Sequence, residues 1–367
     1  MASEERRFRA ICFYRQQRPA SEVVDLISDL HDGSFGEVAQ QFLMERCIRD
    51  EICRKFEPSH TYTLRLLKLA IRKIEDEKGQ VEEDVLNLYM ELLGKCKESV
   101  GGGASHSCKT FAYGRSIDEA VSVEGHISLN VSFDILAGST GCKEWEAGFV
   151  LAEFVLNNPA VFKGKVSVEL GSGAGLVGIC LDRVGCSTSV LTDGNIEALQ
   201  NCRTNLDLNG VRNGWHETKE GLELQPDLGV QCVPLKWEEE IEWRPDVVLG
   251  ADVVYDPEVI PSLVSTLVSL LRPEIAGRNA ETERTAASLS WKDWITTKGG
   301  NSTPFALVAS TVRNPSTLEL FAAMTRQKGL VVRELVEFER QSGGILFHWL
   351  PFREKKSAIV MHCISVR

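Results

Sequence analysis

The chain lacks any long hydrophobic run, although 43% of its 367 residues are hydrophobic. A helix that crosses a bilayer needs about 20 apolar residues in succession, and the sequence contains no such stretch. The first ten residues, MASEERRFRA, carry charge without the apolar segment that a signal peptide requires. We therefore expect a cytoplasmic protein that has a sizeable core and no membrane partner.

Basic charge is also in short supply. The chain has 41 Lys and Arg against 52 Asp and Glu, which gives a net charge of −11. An acidic surface disfavours bulk electrostatic binding to nucleic acid or anionic lipid. A basic protein partner fits this surface better, and we expect no direct binding to nucleic acid.

Cysteine and histidine clusters are absent too. The 11 Cys are scattered without a Cys-x-x-Cys pair, and the 7 His are equally dispersed. Zinc sites and disulfide frameworks depend on closer spacings. We expect reduced, mostly buried thiols and no metal site.

Helix-type periodicity dominates the first part of the chain. Apolar residues recur at three- and four-residue steps through residues 20–98, which predicts a set of helices. Alternation over 109–135 then predicts a short β segment. We place a helical N-terminal domain at 1–105 and a second domain at 106–367. The helices either pack on the second domain or help to recognise a partner protein.

From Trp145 onward, helix-like and strand-like segments alternate. That rhythm is typical of an α/β fold with an open, doubly wound, parallel sheet. A polar insertion near 273–303 interrupts the rhythm. Two strand-like runs near the end, 331–338 and 357–366, have no helix between them and predict an antiparallel pair at the sheet edge.

The most informative stretch is VSVELGSGAGLVG, residues 166–178. An alternating strand that contains Glu169 leads into a glycine-rich turn and then into an apolar helix, so the backbone can approach a nucleotide closely. Residues 173–178 also read as Gly-x-Gly-x-x-Gly, which fits a nicotinamide-dependent oxidoreductase. Asp193, at the end of the next strand, can accept hydrogen bonds from the ribose hydroxyls of a nucleotide cofactor, and this role does not identify which cofactor it is.

Four further segments extend this pattern in a fixed order. They are TGCKEWEAG with Trp145, LTDGN with Asp193, PLKW with Trp237, and GADVVYDP with Asp252 and Tyr255. With the glycine turn, they resemble the class I S-adenosylmethionine-dependent methyltransferases, and most closely the eukaryotic elongation factor 2 lysine methyltransferase family. The resemblance covers nearly the whole chain and is weakest in the polar insertion. It implies a Rossmann-like, seven-stranded methyltransferase sheet, S-adenosyl-L-methionine as cofactor, and elongation factor 2 as protein substrate.

The resemblance also implies the residues that contact the cofactor. In it, Glu169 supports the turn, Asp193 holds the ribose, and Trp145 and Trp237 frame the adenosine. Judged by the residues alone, both tryptophans also fit ordinary core positions. The full set of implied cofactor-binding residues is Trp145, Glu169, Gly171, Gly173, Gly175, Asp193, Gly194, Trp237 and Ala251.

Asp252 and Tyr255 match the D-x-x-Y motif of the lysine methyltransferase branch, and the resemblance implies that they are catalytic. Methyl transfer needs an uncharged amine held in line with the methyl group. Asp252 would orient the amine or the cofactor, and Tyr255 would bound the lysine channel. An acid that caps the next turn and a buried tyrosine also fit this pattern. Another protein or an RNA stays open as the substrate, although valines replace the prolines that form a stacking surface in base methylases.

Overall fold

The computed structural model describes residues 2–98, 106–117, 120–132, 140–272, 303–335, 344–354 and 358–366. Contacts divide the chain into two compact units, Met1–Gly138 with Ser342–Lys355 and Ser139–Gln341 with Lys356–Arg367. The first unit therefore extends beyond the helical domain predicted at 1–105. Within the described ranges, no helix combines the length and apolarity that a membrane span requires. Most of the polar insertion predicted near 273–303 lies outside these ranges.

Short helices form most of the first unit. The helix at Ala2–Arg15, α1, was not predicted, because its first half is polar and its buried residues, including Phe13 and Tyr14, lie in its second half. The helix at His60–Asp76, α5, begins where the Ser59 side chain accepts a hydrogen bond from the Tyr62 backbone N–H. The helical segments are α1 Ala2–Arg15, α2 Ala20–Leu30, α3 Glu37–Phe42, a π-helical segment Leu43–Ile48, α4 Glu51–Lys55, α5 His60–Asp76 and α6 Glu83–Glu98.

The helices of the first unit surround an apolar core of their own. On α5, the buried residues recur at three- and four-residue steps, as the sequence periodicity predicted. They pack with buried residues of α1, α2 and the segment around α3. The largest fully buried side chains of this core include Tyr14, Ile27, Phe35, Leu43, Leu66, Leu67 and Ile74.

A small antiparallel sheet completes the first unit. It consists of β1 His106–Ile117, β2 Ala120–Val121, β3 Gly125–Ser132 and a later strand, β11 Ile345–Phe347. β1 pairs with β3 and with β11. The β segment predicted at 109–135 therefore corresponds to β1, β2 and β3, and its last three residues lie outside the described ranges.

Among the residues that the structure describes, a mixed sheet of eight strands forms the centre of the second unit. The strands are β4 Val166–Leu170, β5 Thr188–Asp193, β6 Asn213–Trp215, β7 Gly229–Pro234, β8 Val247–Ala251, β9 Phe305–Thr311, β10 Leu330–Glu334 and β12 Ile359–Val366. Their order is β10-β12-β9-β8-β4-β5-β7-β6. The sequence predicted seven strands. The additional one, β6, has three residues with a glycine at its centre, so it shows no alternation.

Helices connect these strands. They are α7 Glu146–Asn157, α8 Pro159–Phe162, α9 Leu176–Arg183, α10 Ile196–Leu208, α11 Ile260–Leu270 and α12 Pro315–Gln327, and a last short helix, α13 Pro351–Glu354, belongs to the first unit. β12 pairs antiparallel with both β9 and β10. The remaining pairs of the sheet are parallel.

The strand order places the candidate site. β4 lies between β5 and β8. The strands that follow β4 directly in the chain lie on one side of it, and β8 and β9 lie on the other side, so the strand order switches at β4. In the parallel registers, Leu170 of β4 is level with Thr192 of β5 and with Gly250 of β8. The carboxyl ends of these strands therefore share one edge at the switch point, where open α/β sheets bind their ligands.

Candidate functional site

The glycine turn between β4 and α9 has left-handed backbone at three residues. Gly171, Gly173 and Gly175 have φ values of 65°, 49° and 80°. A Cβ on Gly173 would lie 3.1 Å from the Gly141 carbonyl oxygen, and one on Gly175 would lie 2.6 Å from Cys202 Sγ. Glycine is required here by both conformation and space. The turn thus brings bare backbone to the switch point.

Asp193 holds this turn from the end of β5. Its Oδ2 accepts a hydrogen bond from the Gly173 backbone N–H at 3.1 Å, and its Oδ1 accepts one from the Asn195 N–H at 2.9 Å. Burial raises the pKa of Asp193, although hydrogen bonds from backbone N–H groups act in the opposite direction. A carboxylate has about four lone-pair sites, so Asp193 keeps acceptor capacity for a ligand hydroxyl.

Glu169 is a buried carboxyl group beneath the turn. It is 2% exposed, and within the described part of the chain its Oε2 has no hydrogen-bond partner. The Gly178 backbone N–H, in the first turn of α9, donates a hydrogen bond to Glu169. Burial, and then the charge of Asp193, raise the pKa of Glu169 to about 8. Glu169 is therefore mainly a neutral acid at pH 7, with one oxygen available to a ligand or a water.

Trp237 lies beside the glycine turn. Its Cζ2 is 3.8 Å from the position of a Cβ on Gly171, and its ring packs partly against the apolar core of the second unit. The neighbouring Trp243 is 8% exposed, and its indole N–H donates to the Leu222 carbonyl oxygen at 3.0 Å. Trp243 is thus a packing residue.

Asp252 occupies the end of β8 in a left-handed conformation, with a φ of 54°. Its backbone N–H donates to the Ala309 carbonyl oxygen at 2.8 Å. Its Oδ1 accepts from the Thr311 N–H at 2.8 Å, and its Oδ2 accepts from the Thr311 hydroxyl at 3.0 Å. Among the described residues, the Asp252 carboxylate has no hydrogen bond to the turn that follows it. It instead ties the end of β8 to the end of β9.

Arg313 also contacts Asp252, and sequence reasoning missed it. Its two terminal nitrogens donate to the two carboxylate oxygens of Asp252, each at 3.2 Å. The same guanidinium lies over the ring of Trp145, 5.1 Å from its centroid. The available signal was only an arginine in the short segment between β9 and α12, two residues after the end of β9.

Tyr255 and Trp145 are both accessible. Tyr255 is 61% exposed and Trp145 is 36% exposed, so a buried tyrosine and a core position for Trp145 are both wrong. Burial, followed by the charges of Asp256 and Asp193, raises the pKa of Tyr255.

Two cofactor-site candidates are backbone positions. Gly194 follows Asp193 directly, and a Cβ on Gly194 would be 3.6 Å from the Leu235 carbonyl oxygen. Ala251 is the last residue of β8 and is level with Ala309 of β9. Both positions lie at the same sheet edge as the glycine turn. The structure therefore brings all predicted site residues to the carboxyl ends of β4, β5, β7 and β8 or to the start of α7.

Comparison with known proteins identifies the family. Residues 126–288 match a family model described as lysine methyltransferase. The chain is 32% identical over 278 residues to protein-lysine N-methyltransferase EFM3 of Chaetomium thermophilum, an alignment that covers 70% of this chain and 78% of that protein. It is 29% identical over 319 residues to human protein-lysine N-methyltransferase EEF2KMT, covering 83% and 82%. The mouse protein of that name is 26% identical over 372 residues, covering 99% of this chain and 94% of the relative. The chain therefore belongs to the family of S-adenosylmethionine-dependent protein-lysine methyltransferases.

Proposed function

We propose that this methyltransferase modifies a lysine of eukaryotic elongation factor 2 in the cytoplasm. The extent of the similarity carries the proposal, because the alignment with mouse EEF2KMT spans 99% of the chain and so includes the helical N-terminal region. A likeness confined to the methyltransferase core would support only the reaction. Family membership also removes the nicotinamide-dependent oxidoreductase from the alternatives.

The residues around the glycine turn fit S-adenosylmethionine. The turn at Gly171, Gly173 and Gly175 leaves no room for side chains, and the buried Oε2 of Glu169 has no partner in the described part of the chain. We assign the cofactor to this turn, with the spare acceptor sites of Asp193 on its ribose hydroxyls. Gly194 and Ala251 supply close backbone on either side. When bound, S-adenosylmethionine supplies a methyl group activated by a sulfonium.

Two tryptophans flank the proposed cofactor site. Trp237 lies against Gly171 with its ring partly packed on the core, so it has one face for an apolar ligand surface. Trp145 is exposed, and the Arg313 guanidinium and the Lys143 ammonium lie over its ring, 5.1 and 5.4 Å from the centroid. An indole covers a planar or apolar ligand edge well, since it combines a large apolar area with a rigid ring. We assign both to the adenosine end.

The remaining requirement is a neutral lysine amine held in line with the methyl group. Free lysine has a pKa of about 10.4, so the site must favour loss of its proton, by partial desolvation or by release to water. Tyr255, exposed beyond β8, is positioned to bound the channel through which the lysine side chain enters. Asp252 contributes a negative charge at a fixed position at the end of β8.

Incubation with labelled S-adenosylmethionine and purified elongation factor 2 tests the proposal. We expect label on one lysine, which mass spectrometry of the digested substrate locates. Elongation factor 1A and total RNA serve as matched alternative substrates. Labelling of another protein but not of elongation factor 2 would contradict the substrate, and labelling of RNA would place the chain among nucleic-acid methyltransferases.

A further inference from the structure

Arg313 connects three elements of the second unit through one side chain. It lies after β9, its guanidinium reaches Asp252 at the end of β8, and it covers the ring of Trp145, the residue that precedes α7. The Arg313 side chain is 45% exposed, whereas that of Asp252 is 5% exposed. The pair therefore consists of a buried anion and a cation at the edge of the crevice.

The hydrogen bonds of Asp252 use its full acceptor capacity. Four donors reach its two oxygens: the Thr311 N–H, the Thr311 hydroxyl and two Arg313 nitrogens, at distances of 2.8 to 3.2 Å. A carboxylate offers about four lone-pair sites. Asp252 therefore has no site left to accept a proton from a lysine ammonium unless one of these bonds breaks.

The backbone of Asp252 is fixed as well. A non-glycine residue with a φ of 54° is in a sparsely populated conformation, which persists where the surroundings determine it from several sides. Here the hydrogen bond to Ala309 and the bonds from Thr311 supply that constraint. Arg313 adds a charged side chain to the contacts that Thr311 makes with the same carboxylate.

We propose that Arg313 is a positioning residue for methyl transfer, a role that rests on the function proposed above. It holds Asp252 as a fixed anion rather than a base, and it holds the indole of Trp145 in a set orientation. Only arginine does both, because its planar group forms two parallel hydrogen bonds and also stacks on an aromatic face. Lysine retains the charge but provides neither the paired geometry nor the planar stacking.

Three variants separate positioning from general stability. Arg313→Gln removes the charge, and Arg313→Lys keeps it. Arg49→Gln is the matched control, because Arg49 forms a comparable two-nitrogen pair with Asp84 in the first unit. We expect Arg313→Gln to lower kcat on the order of 10- to 100-fold, with Arg313→Lys intermediate. The KM for the protein substrate and the thermal midpoint should change little, and Arg49→Gln should retain full turnover.

Two measurements need no protein substrate, so they stand even if the proposed substrate is wrong. In calorimetry with S-adenosylhomocysteine, a double-mutant cycle of Arg313→Gln with Asp252→Asn should be non-additive, because each change removes the same pair. Indole emission should change on Arg313→Gln, and this change should vanish in a Trp145→Phe background. The role of Arg313 would be overturned by any of three results. These are a wild-type kcat for a folded Arg313→Gln, additive effects on binding in the double-mutant cycle, and an emission change that persists in the Trp145→Phe background. Failure of the wild-type enzyme to label elongation factor 2 would overturn only the proposed substrate.

Discussion

The Oδ2 of Asp193 accepts a hydrogen bond from the Gly173 backbone N–H at 3.1 Å. The acid at the end of β5 thus fixes the glycine turn that follows β4, while Glu169 instead accepts from Gly178 in α9. One carboxylate therefore has two tasks in the proposed site. It sets the backbone that approaches the cofactor, and it offers its remaining acceptor sites to the ribose.

Replacing Asp193 should weaken binding of the cofactor product. We expect Asp193→Ala to weaken the binding of S-adenosylhomocysteine by ~1 to 3 kcal/mol, because hydrogen bonds from the ribose and from the Gly173 N–H are both lost. Isothermal calorimetry measures this directly. Asp207→Ala is the control, since Asp207 is exposed and its Oδ1 accepts a hydrogen bond from the Asn213 side chain at 2.8 Å. An unchanged Kd for Asp193→Ala would refute the ribose role.

Substitution of Gly175 should cost more stability than its backbone angle alone explains. Gly175 and Gly210 both have positive φ, of 80° and 72°, but a Cβ meets Cys202 Sγ at 2.6 Å in the first case and nothing within 4 Å in the second. We expect Gly210→Ala to cost ~1 to 2 kcal/mol from left-handed strain. Gly175→Ala should cost more stability, and the double variant Gly175→Ala with Cys202→Ala should recover part of this additional loss. Chemical denaturation measures all three values, and equal losses at both glycines would exclude the steric contribution.

The sequence predicted the parts of the site whose signals are local. Glu169 and Asp193 end or nearly end strands with clear apolar patterns, so the parallel sheet was enough to place them at one edge. Arg313 could not be found in this way, because it meets Asp252 across 61 positions of the chain. That contact depends on the pairing of β9 with β8, which the sequence did not predict because the polar insertion separates the two strands along the chain. The sequence also did not predict the exposure of Tyr255, since that depends on the path of the chain after β8.

The pH dependence of stability should change when Glu169 is neutralised. Burial, and then the Asp193 charge, raise its pKa from 4.5 to about 8. The folded state then holds a proton that the unfolded state releases, so this stabilisation is complete below about pH 4.5 and declines until about pH 8. The glutamine in Glu169→Gln does not titrate, so we expect the free energy of unfolding of this variant not to decline over this range. Above pH 8 the variant's free energy of unfolding should exceed that of the wild type by a few kcal/mol, on the order of one per pKa unit.

Urea denaturation at a series of pH values between 4.5 and 9 measures this difference. Glu220→Gln, at an exposed position of the same unit, serves as the control and should follow the wild-type curve. Parallel curves for Glu169→Gln and wild type would show that Glu169 is ionised in the folded protein across this range. The assignment of Glu169 as a neutral acid in the folded protein would then be wrong.

Two substitutions of Asp252 should separate its charge from its backbone strain. Asparagine tolerates left-handed φ better than alanine does, and Asp252 has a φ of 54°. We expect both Asp252→Asn and Asp252→Ala to lose turnover, because both remove the anion that Arg313 and Thr311 hold in place. Only Asp252→Ala should also lose ~1 to 2 kcal/mol of stability from the strained backbone. Steady-state kinetics and thermal unfolding of the same preparations test this pair of expectations. Normal turnover in a folded Asp252→Asn would show that the fixed negative charge is not needed for methyl transfer, and Asp252 would then serve only to join β8 to β9.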